Sequence, residues 1–232
     1  MWIKKRKVAV FDIDGTIFRS SLVVELIENL IRDGVFPEKV KNIYKQELLN
    51  WLDRKGAYED YINALVVAFN KNLLGRHKDE IQPTIKKVVE LYENRVYRFT
   101  RDLVRKLKRQ GYFMLAISHS PKYIVEGFAK RMGFDKVYGT MLELDAEGRF
   151  TGKLMHEDLI FDKAKILMRA AEKENLTLVN SIGVGDTGSD VKFLELVTKP
   201  ICFNPNSTLY KVAVERGWRI VVERKDVIYE VQ

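Results

Sequence analysis

Two aspartates that directly follow an apolar run are the residues of this sequence best suited to chemistry. The run over residues 8–11 ends in Asp12 and Asp14, and Gly15 and Thr16 come next. Carboxylates at the end of a buried strand are costly to desolvate unless a cation lies between them. Because Mg²⁺ prefers hard oxygen ligands, the segment predicts a magnesium site. The alternative is a simple turn, in which Gly15 supplies a backbone angle that other residues avoid.

Two further predicted strands end in small, polar and acidic residues. The strand predicted at 112–117 is followed by Ser118-His119-Ser120-Pro121, and the strand predicted at 179–184 by Gly185-Asp186-Thr187-Gly188-Ser189-Asp190. Ligands of parallel α/β sheets bind at the carboxyl ends of the strands, so the three ends together predict one shared site. Lys163 opens a predicted helix, where a cation is unfavourable for the helix dipole. We therefore expect this lysine to have a functional role. The alternative is an ordinary lysine on the surface.

Most of these residues also have a purely structural interpretation. Ser120 and Pro121 predict the N-cap and first residue of a helix, whose free N–H groups would lie beside Ser118 and could bind an anion. Asp186 and Asp190 could simply complement the dipole of the helix that follows them. However, four acids converging on one point would repel one another without a cation. This favours the metal site.

The elements that must position these residues alternate between strands and helices. After residue 98, strands are predicted at 112–117, 137–138, 179–184, 200–203 and 219–222, helices at 99–110, 121–132, 162–174, 188–196 and 207–216, and a hairpin over 141–153. Such alternation predicts an α/β fold, a Rossmann-like parallel sheet core with helices on both faces. Residues 21–93 instead contain about four amphipathic helices and no predicted strand. We therefore predict an all-helical cap subdomain at 19–94, inserted into a core domain of 1–18 and 95–232.

Composition narrows the class of protein. The 232 residues suit one large domain or a core with an insert. Cys202 is the one cysteine, which excludes an internal disulfide and a cysteine-based zinc site. The net charge of +8 favours anionic partners, but the basic residues are spread along the chain, so no nucleic-acid partner is expected. The sequence carries no long apolar segment or signal peptide, which predicts a cytoplasmic protein without a membrane partner.

Taken in order, these motifs resemble those of the haloacid dehalogenase superfamily. They are Asp-x-Asp-Gly-Thr at 12–16, then Ser118, then Lys163, then Gly-Asp-x-x-x-Asp at 185–190. The spacing from Lys163 to Asp186 is similar to that of the phosphoserine-phosphatase-like members, subfamily IB, and the helical insert resembles their cap. The resemblance implies a Mg²⁺-dependent phosphatase that hydrolyses a phosphate monoester of a small metabolite.

The resemblance also implies a role for each site residue. Asp12 would be the nucleophile that forms an aspartyl-phosphate, and Asp14 the general acid and then the general base. The implied ligands of Mg²⁺ are the Asp12 carboxylate, the Asp14 backbone carbonyl and Asp186, with Asp190 supporting the metal or its waters. The phosphoryl group would be bound by Ser118 and Lys163, and the phosphate or substrate is further expected to meet Gly15, Thr16 and His119.

The sequence departs from the phosphoserine-phosphatase pattern at three positions. Ser21 stands where those enzymes carry an acidic residue that helps to recognise the substrate amine, His119 replaces a glycine, and Ser189 replaces an asparagine. The chemistry is therefore expected to be intact while a preference for phosphoserine stays open, with Glu25 as a hypothetical substitute for the missing acid. Three alternatives also stay open: a phosphatase of a larger anion such as a lipid headgroup or a nucleic-acid end, a phosphotransferase, and a non-catalytic binding module.

Overall fold

The structure of the protein, a computed structural model, describes residues 5–231. Residues 1–4 and 232, which the predicted core domain includes, lie outside this range. Eight strands form one sheet, in the order β4-β3-β2-β1-β5-β6-β7-β8. Their bounds are β1 Arg6–Phe11, β2 Phe113–Pro121, β3 Lys136–Leu144, β4 Phe150–Met155, β5 Leu176–Gly185, β6 Lys199–Phe203, β7 Arg219–Arg224 and β8 Val227–Val231.

The six central strands are parallel, and one antiparallel hairpin lies at each edge of the sheet. β1 pairs in parallel with β2 and β5. Farther from the centre, β2 pairs in parallel with β3, β5 with β6, and β6 with β7. β4 pairs antiparallel with β3, and β8 pairs antiparallel with β7. The predicted α/β class with a parallel core is confirmed, and β8 is an element that the sequence analysis missed. Its sequence, Val-Ile-Tyr-Glu-Val, is typical of a strand.

Helices pack on both faces of this sheet. Their bounds are α1 Leu22–Arg32, α2 Lys45–Leu52, α3 Tyr58–Leu73, α4 Gln82–Tyr92, α5 Arg98–Arg109, α6 Lys122–Met132, α7 Glu157–Ile160, α8 Lys163–Lys173, α9 Val191–Leu194 and α10 Ser207–Glu215. In β1, Val8 and Val10 pack into one apolar cluster while Ala9 and Phe11 pack into the other. This alternation of buried side chains is what a strand covered on both faces requires.

The helices α1–α4 lie between β1 and α5, and we call residues 22–92 the helical segment. Two short 3₁₀-helices at Glu38–Ile43 and Lys78–Glu80 belong to it. Its apolar side chains are continuous with one core cluster of the sheet, and α1 and α4 pack on α6. Phe18, which leads into the segment, meets Phe128 of α6 edge to face with 5.4 Å between ring centroids.

A second attachment joins the helical segment to the hairpin of β3 and β4. Gly75 N–H donates to the carbonyl of Phe150 at 2.8 Å, and Phe150 N–H donates to the carbonyl of Arg76 at 2.9 Å. Lys78 N–H donates to the carbonyl of Gly148 at 3.0 Å. The hairpin is thus extended by the chain that follows α3, which fixes the carboxyl end of that helix to the sheet edge.

Several predicted boundaries differ from the observed ones. β2 continues to Pro121, which pairs with Thr140 of β3, so α6 begins at Lys122 and the predicted N-cap at Ser120 is wrong. The strand predicted at 137–138 and the first strand of the predicted hairpin are one element, β3. The helix predicted at 188–196 is a 3₁₀ turn at Gly188–Asp190 followed by the short α9. In the part of the chain that is described, no helix has the length and apolar content needed to cross a membrane.

Candidate active site

The three polar strand ends meet at the centre of the carboxyl edge of the sheet. Phe11 of β1 is in register with Ala116 of β2 on one side and with Val184 of β5 on the other. Because the strands are parallel, the residues that follow them lie side by side. The structure brings together all the predicted site residues, namely Asp12, Asp14, Gly15, Thr16, Ser118, His119, Lys163, Asp186 and Asp190.

Lys163 pairs with two buried carboxylates. Its Nζ lies 2.6 Å from Asp12 Oδ1 and 2.6 Å from Asp190 Oδ1, and all three side chains are buried. The helix that Lys163 opens is capped by Asp162, whose Oδ1 accepts from Ala164 N–H at 3.1 Å. This cap offsets the unfavourable position of a lysine at a helix N-terminus. A buried ammonium group is tolerated only with such partners, and Lys163 is not the surface lysine that the sequence left as an alternative.

Three carboxylates form a cluster that could hold a metal ion. Asp12, Asp186 and Asp190 each offer one oxygen, and these oxygens lie within 4.8 Å of one another. Burial raises the pKa of Asp12 to about 7, despite the opposing charge of Lys163. Burial and the neighbouring carboxylates also raise the pKa of Asp186 well above its usual range. One lysine does not neutralise three carboxylates, so this donor set fits a divalent cation.

Gly15 and Thr16 lie against Asp186. Gly15 has φ +78°, and a Cβ at this position would lie 2.1 Å from Asp186 Oδ2. Thr16 Oγ1 donates to Asp186 Oδ1 at 3.2 Å. Asp190 supports the same loop from the other side, because its Oδ2 accepts from the backbone N–H of Asp186 at 2.9 Å and of Thr187 at 3.0 Å. In this arrangement Gly15, Thr16 and Asp190 fix the position of Asp186.

Asp14 is held by two hydrogen-bond donors that the carboxylate cluster does not use. Ser118 Oγ donates to its Oδ2 at 2.6 Å, and the backbone N–H of Leu22 donates to its Oδ1 at 2.5 Å. Ser118 is buried. The two aspartates of the first motif therefore have different surroundings: Asp12 faces Lys163, and Asp14 faces two neutral donors. Such a difference suits two carboxylates with different roles.

His119 lies at the outer side of this site. Its ring centroid is 6.2 Å from that of Phe161, an exposed residue just before α8. The surrounding protein desolvates the imidazole and, together with the charge of Lys163, lowers the pKa of His119 to about 4. The ring is therefore neutral at pH 7.

Three site residues were missed by the sequence analysis because contacts distant in sequence place them. Tyr58 is the first residue of α3, and burial followed by the negative charge of Asp14 raises its pKa. Glu59 Oε1 accepts from Asn206 Nδ2 at 2.8 Å, and Asn206 N–H donates to the carbonyl of Asp186 at 2.8 Å. Asn206 carries a signal as the N-cap of α10, but no local pattern points to Tyr58 or Glu59.

Glu25, the hypothetical substitute for an acidic residue at position 21, is held by an arginine. Its Oε1 lies 2.7 Å from Arg95 Nη1 and accepts from Ser20 Oγ at 3.1 Å. Ser21 itself is buried. The Glu25 carboxylate therefore already has a cationic partner within the protein.

Comparison with known proteins gives a family and a set of relatives. A sequence profile of haloacid dehalogenase-like hydrolases matches residues 9–195. Phosphoserine phosphatase of Archaeoglobus fulgidus is 26% identical over 211 residues, which cover 90% of this chain and 56% of that protein. The chain thus spans little more than half of that relative. Histidinol-phosphatase of Neisseria meningitidis serogroup C is 23% identical over 227 residues, covering 93% of this chain and 98% of that one.

Two solved structures share the fold. A Bordetella pertussis protein of unknown function superposes with a TM-score of 0.74 at 20% identity, covering 94% of this chain and 98% of that one. A phospho-aspartyl intermediate analogue of phosphoserine phosphatase superposes with a TM-score of 0.61 at 22% identity, covering 96% of each chain. At these identities the likeness concerns the arrangement of strands and helices.

Proposed function

The protein belongs to the haloacid dehalogenase-like hydrolase family, and from this membership and the geometry of its site we propose that it is a Mg²⁺-dependent phosphatase of small phosphate monoesters. The observation that carries the proposal is the position of Lys163, 2.6 Å from Asp12 at the point where three strand ends meet. A cation beside a buried carboxylate offsets the repulsion between that carboxylate and an incoming phosphate. Phosphoryl transfer needs mainly positioning and charge neutralisation, and this site offers both.

The proposed reaction has two steps. An Asp12 carboxylate oxygen attacks phosphorus, the ester P–O bond breaks, and Asp14 gives its proton to the departing alkoxide. Water then attacks phosphorus of the aspartyl-phosphate and gives a proton to Asp14, which releases inorganic phosphate and restores Asp12. Support comes from the hydrogen bonds that Ser118 and Leu22 donate to Asp14, which fix that carboxylate through two neutral donors.

The carboxylate cluster is the proposed metal site. Asp12, Asp186 and Asp190 would hold Mg²⁺ or its waters, together with the backbone carbonyl of Asp14. When bound, Mg²⁺ neutralises charge on the phosphoryl oxygens and on Asp12. The crowding of Gly15 against Asp186 supports this assignment, because only a glycine lets the Asp186 carboxylate approach so closely.

We propose that residues 19–94 act as a cap over a core domain formed by 1–18 and 95–232. Support comes from the start of α3: Glu59 accepts a hydrogen bond from Asn206 beside the Asp186 loop, and burial, followed by the charge of Asp14, raises the pKa of Tyr58. A cap in this position would exclude water during the reaction. The substrate would be a small phosphorylated metabolite in the cytoplasm. Two relatives are named phosphoserine phosphatase and histidinol-phosphatase, and phosphoserine and histidinol phosphate are small esters of this kind.

Phosphate release from a panel of monoesters tests the proposal. The panel includes phosphoserine and an aryl phosphate, each with and without Mg²⁺, and Asp12→Asn is the control. We expect turnover that requires Mg²⁺ and is lost in the variant. Turnover that survives in Asp12→Asn would contradict the assigned nucleophile, and absence of turnover with every ester would contradict the phosphatase proposal.

A further inference from the structure

Two aromatic rings border the outer side of the proposed phosphate site. His119 directly follows Ser118, and Phe161 lies two residues before Lys163. Their ring centroids are 6.2 Å apart and the planes are tilted by 54°. Both residues that are proposed to hold the phosphoryl group therefore have an aromatic neighbour. A monoester bound between Ser118 and Lys163 would leave its organic part close to these rings.

Phe161 is a large apolar residue that is open to solvent. It is 60% exposed at the junction of α7 and α8. The His119 ring lies on one side of Phe161, and more than half of the Phe161 surface stays open to solvent. An exposed aromatic surface at the mouth of a site is typical of a ligand contact. His119 is neutral at pH 7, so this wall offers ring surface rather than charge.

The acidic group that would recognise an amino-acid head is absent at position 21 and already paired at position 25. Ser21 stands in place of the acidic residue and is buried. Glu25 is paired with Arg95 at 2.7 Å, with a side chain only 12% exposed. A substrate ammonium group would have to compete with this arginine for the carboxylate.

The helical segment presents aromatic side chains to the same site. Burial, followed by the charge of Asp14, raises the pKa of Tyr58, and the next residue, Glu59, hydrogen-bonds Asn206 beside the Asp186 loop. Trp51 of α2 packs against Tyr58 with 5.1 Å between centroids. The core and the helical segment thus both supply rings where the organic part of the substrate would lie.

We propose that the alcohol part of the substrate carries a planar aromatic or heteroaromatic ring, which packs on the open side of Phe161. The inference rests on the proposed phosphatase function and narrows its substrate class. A stacked ring contributes affinity through its buried area and through ring-to-ring geometry. Because the acidic group is absent at position 21 and paired at position 25, a zwitterionic head would lose hydration without gaining a partner for its ammonium group at these positions.

Alkyl phosphates with closely similar leaving groups test this preference without confusing it with chemical reactivity. We would compare kcat/KM for 2-phenylethyl phosphate, 2-cyclohexylethyl phosphate, ethyl phosphate and phosphoserine. The proteins are the wild type, Phe161→Ala, Phe161→Leu and the control Tyr229→Ala, which removes an exposed aromatic ring on β8 at the far edge of the sheet. We expect about a tenfold preference for the phenylethyl ester over ethyl phosphate and phosphoserine.

The variants decide whether Phe161 causes the preference. Phe161→Ala should reduce it to less than about threefold while ethyl phosphate turnover stays within about twofold, and Phe161→Leu should fall between. Tyr229→Ala should behave as the wild type. Equal or faster hydrolysis of phosphoserine, or an equal loss on all esters in Phe161→Ala, would overturn the inference and leave the phosphatase proposal standing.

A binding measurement separates the two proposals if turnover is absent. 2-Phenylethylphosphonate and ethylphosphonate resist hydrolysis, and their affinities in the presence of Mg²⁺ can be measured by calorimetry. Tighter binding of the phenylethyl compound that depends on Phe161, without turnover of any ester, would contradict the phosphatase and support the ring site. Equal binding of both phosphonates would overturn the ring site.

Discussion

The backbone N–H of Leu22 donates a 2.5 Å hydrogen bond to Asp14 Oδ1, so the first residue of the helical segment is joined to a carboxylate of the proposed active site. Ser21, at the N-cap position of α1, makes no side-chain cap. Asp14 therefore caps this helix from a different part of the fold, and Ser118 holds its other oxygen. The orientation of Asp14 depends on the seating of α1 against the sheet.

Replacing Lys163 should cost both stability and activity. Lys163→Met leaves Asp12 and Asp190 buried without a cation, and we expect a loss of about 3 kcal/mol in the free energy of unfolding. Phosphatase activity should fall by about a thousandfold. Denaturant unfolding with and without Mg²⁺ measures the first effect, and added Mg²⁺ should recover part of it.

Lys192→Met is the matched control for that measurement. Lys192 lies 3.5 Å from Asp162, but its side chain is 70% exposed, so its removal should change stability by less than about 0.5 kcal/mol. Equal effects of the two substitutions on the free energy of unfolding would show that the buried ion pairs of Lys163 stabilise the fold no more than an exposed ion pair does.

Gly15→Ala should weaken metal binding specifically. The new Cβ would lie 2.1 Å from Asp186 Oδ2 and must displace that carboxylate. Gly34→Ala is the control, because Gly34 has a similar φ of +74° with nothing within 4 Å of the added atom. Both variants should lose about 1 kcal/mol of stability from backbone strain. Only Gly15→Ala should need at least about tenfold more Mg²⁺ for half-maximal activity, and similar requirements in both would refute the role of Gly15.

The pH dependence of stability should reveal the raised pKa of Asp12. Its pKa is 3.8 when unperturbed and about 7 in the metal-free fold. Between these values the folded state binds more protons than the unfolded state, so this carboxylate makes the fold less stable as pH rises. The lowered pKa of His119, about 4 against 6.5, acts in the opposite direction over pH 4–6.5. The difference between wild type and Asp12→Asn removes the histidine contribution.

Calorimetry in the presence of a chelator measures that difference. The Tm of Asp12→Asn should rise relative to the wild type between pH 4 and 7, by on the order of 5 °C. Saturating Mg²⁺ should reduce the gap, because the wild type binds it more tightly. A constant difference across this range would mean that the Asp12 pKa is not raised by folding.

Glu59→Ala should impair catalysis more than stability. The substitution removes the contact between α3 and Asn206, whose backbone supports the Asp186 loop. Because Glu59 is exposed, stability should change by less than about 0.5 kcal/mol, while kcat/KM should fall by about three- to tenfold if this contact seats the cap. Glu59→Gln retains an acceptor oxygen and should stay near the wild type. Faster hydrogen exchange at the start of α3 in Glu59→Ala, but not in Glu59→Gln, would show that loss of this contact loosens the start of the helix.

The sequence predicts the chemistry-bearing strand ends well, because each is a local pattern with a local cause. An apolar run that stops at Asp12 or at Gly185 marks the end of a buried strand. Parallel pairing then places these strand ends side by side at one edge of the sheet. The contacts made by Glu59 with Asn206 and by Glu25 with Arg95 join distant parts of the chain. No spacing rule relates such pairs, so only the folded structure reveals them.

Errors at element boundaries have a similar origin. The sequence pattern Ser-Pro predicts a helix start, but pairing of Pro121 with Thr140 keeps the chain extended for one more residue. β8 was missed although its residues favour a strand, since the alternation of strands and helices gave no reason to expect an antiparallel return at the sheet edge. Tertiary pairing outweighs the local preference at Pro121, whereas at β8 it agrees with the local preference.

The hydrogen bonds between residues 75–78 and the β3–β4 hairpin limit how the helical segment can move. A rigid body held at one place can swing in any direction, whereas one held at two places can turn only about the line that joins them. The other place of attachment is the pair of connecting chains, where Arg19 N–H donates to the carbonyl of Arg95. Since α1 and α4 also pack on α6, the movement that this line leaves open is that of the start of α3, which would carry Tyr58 and Glu59 away from the site while the far end of the helix stays in place.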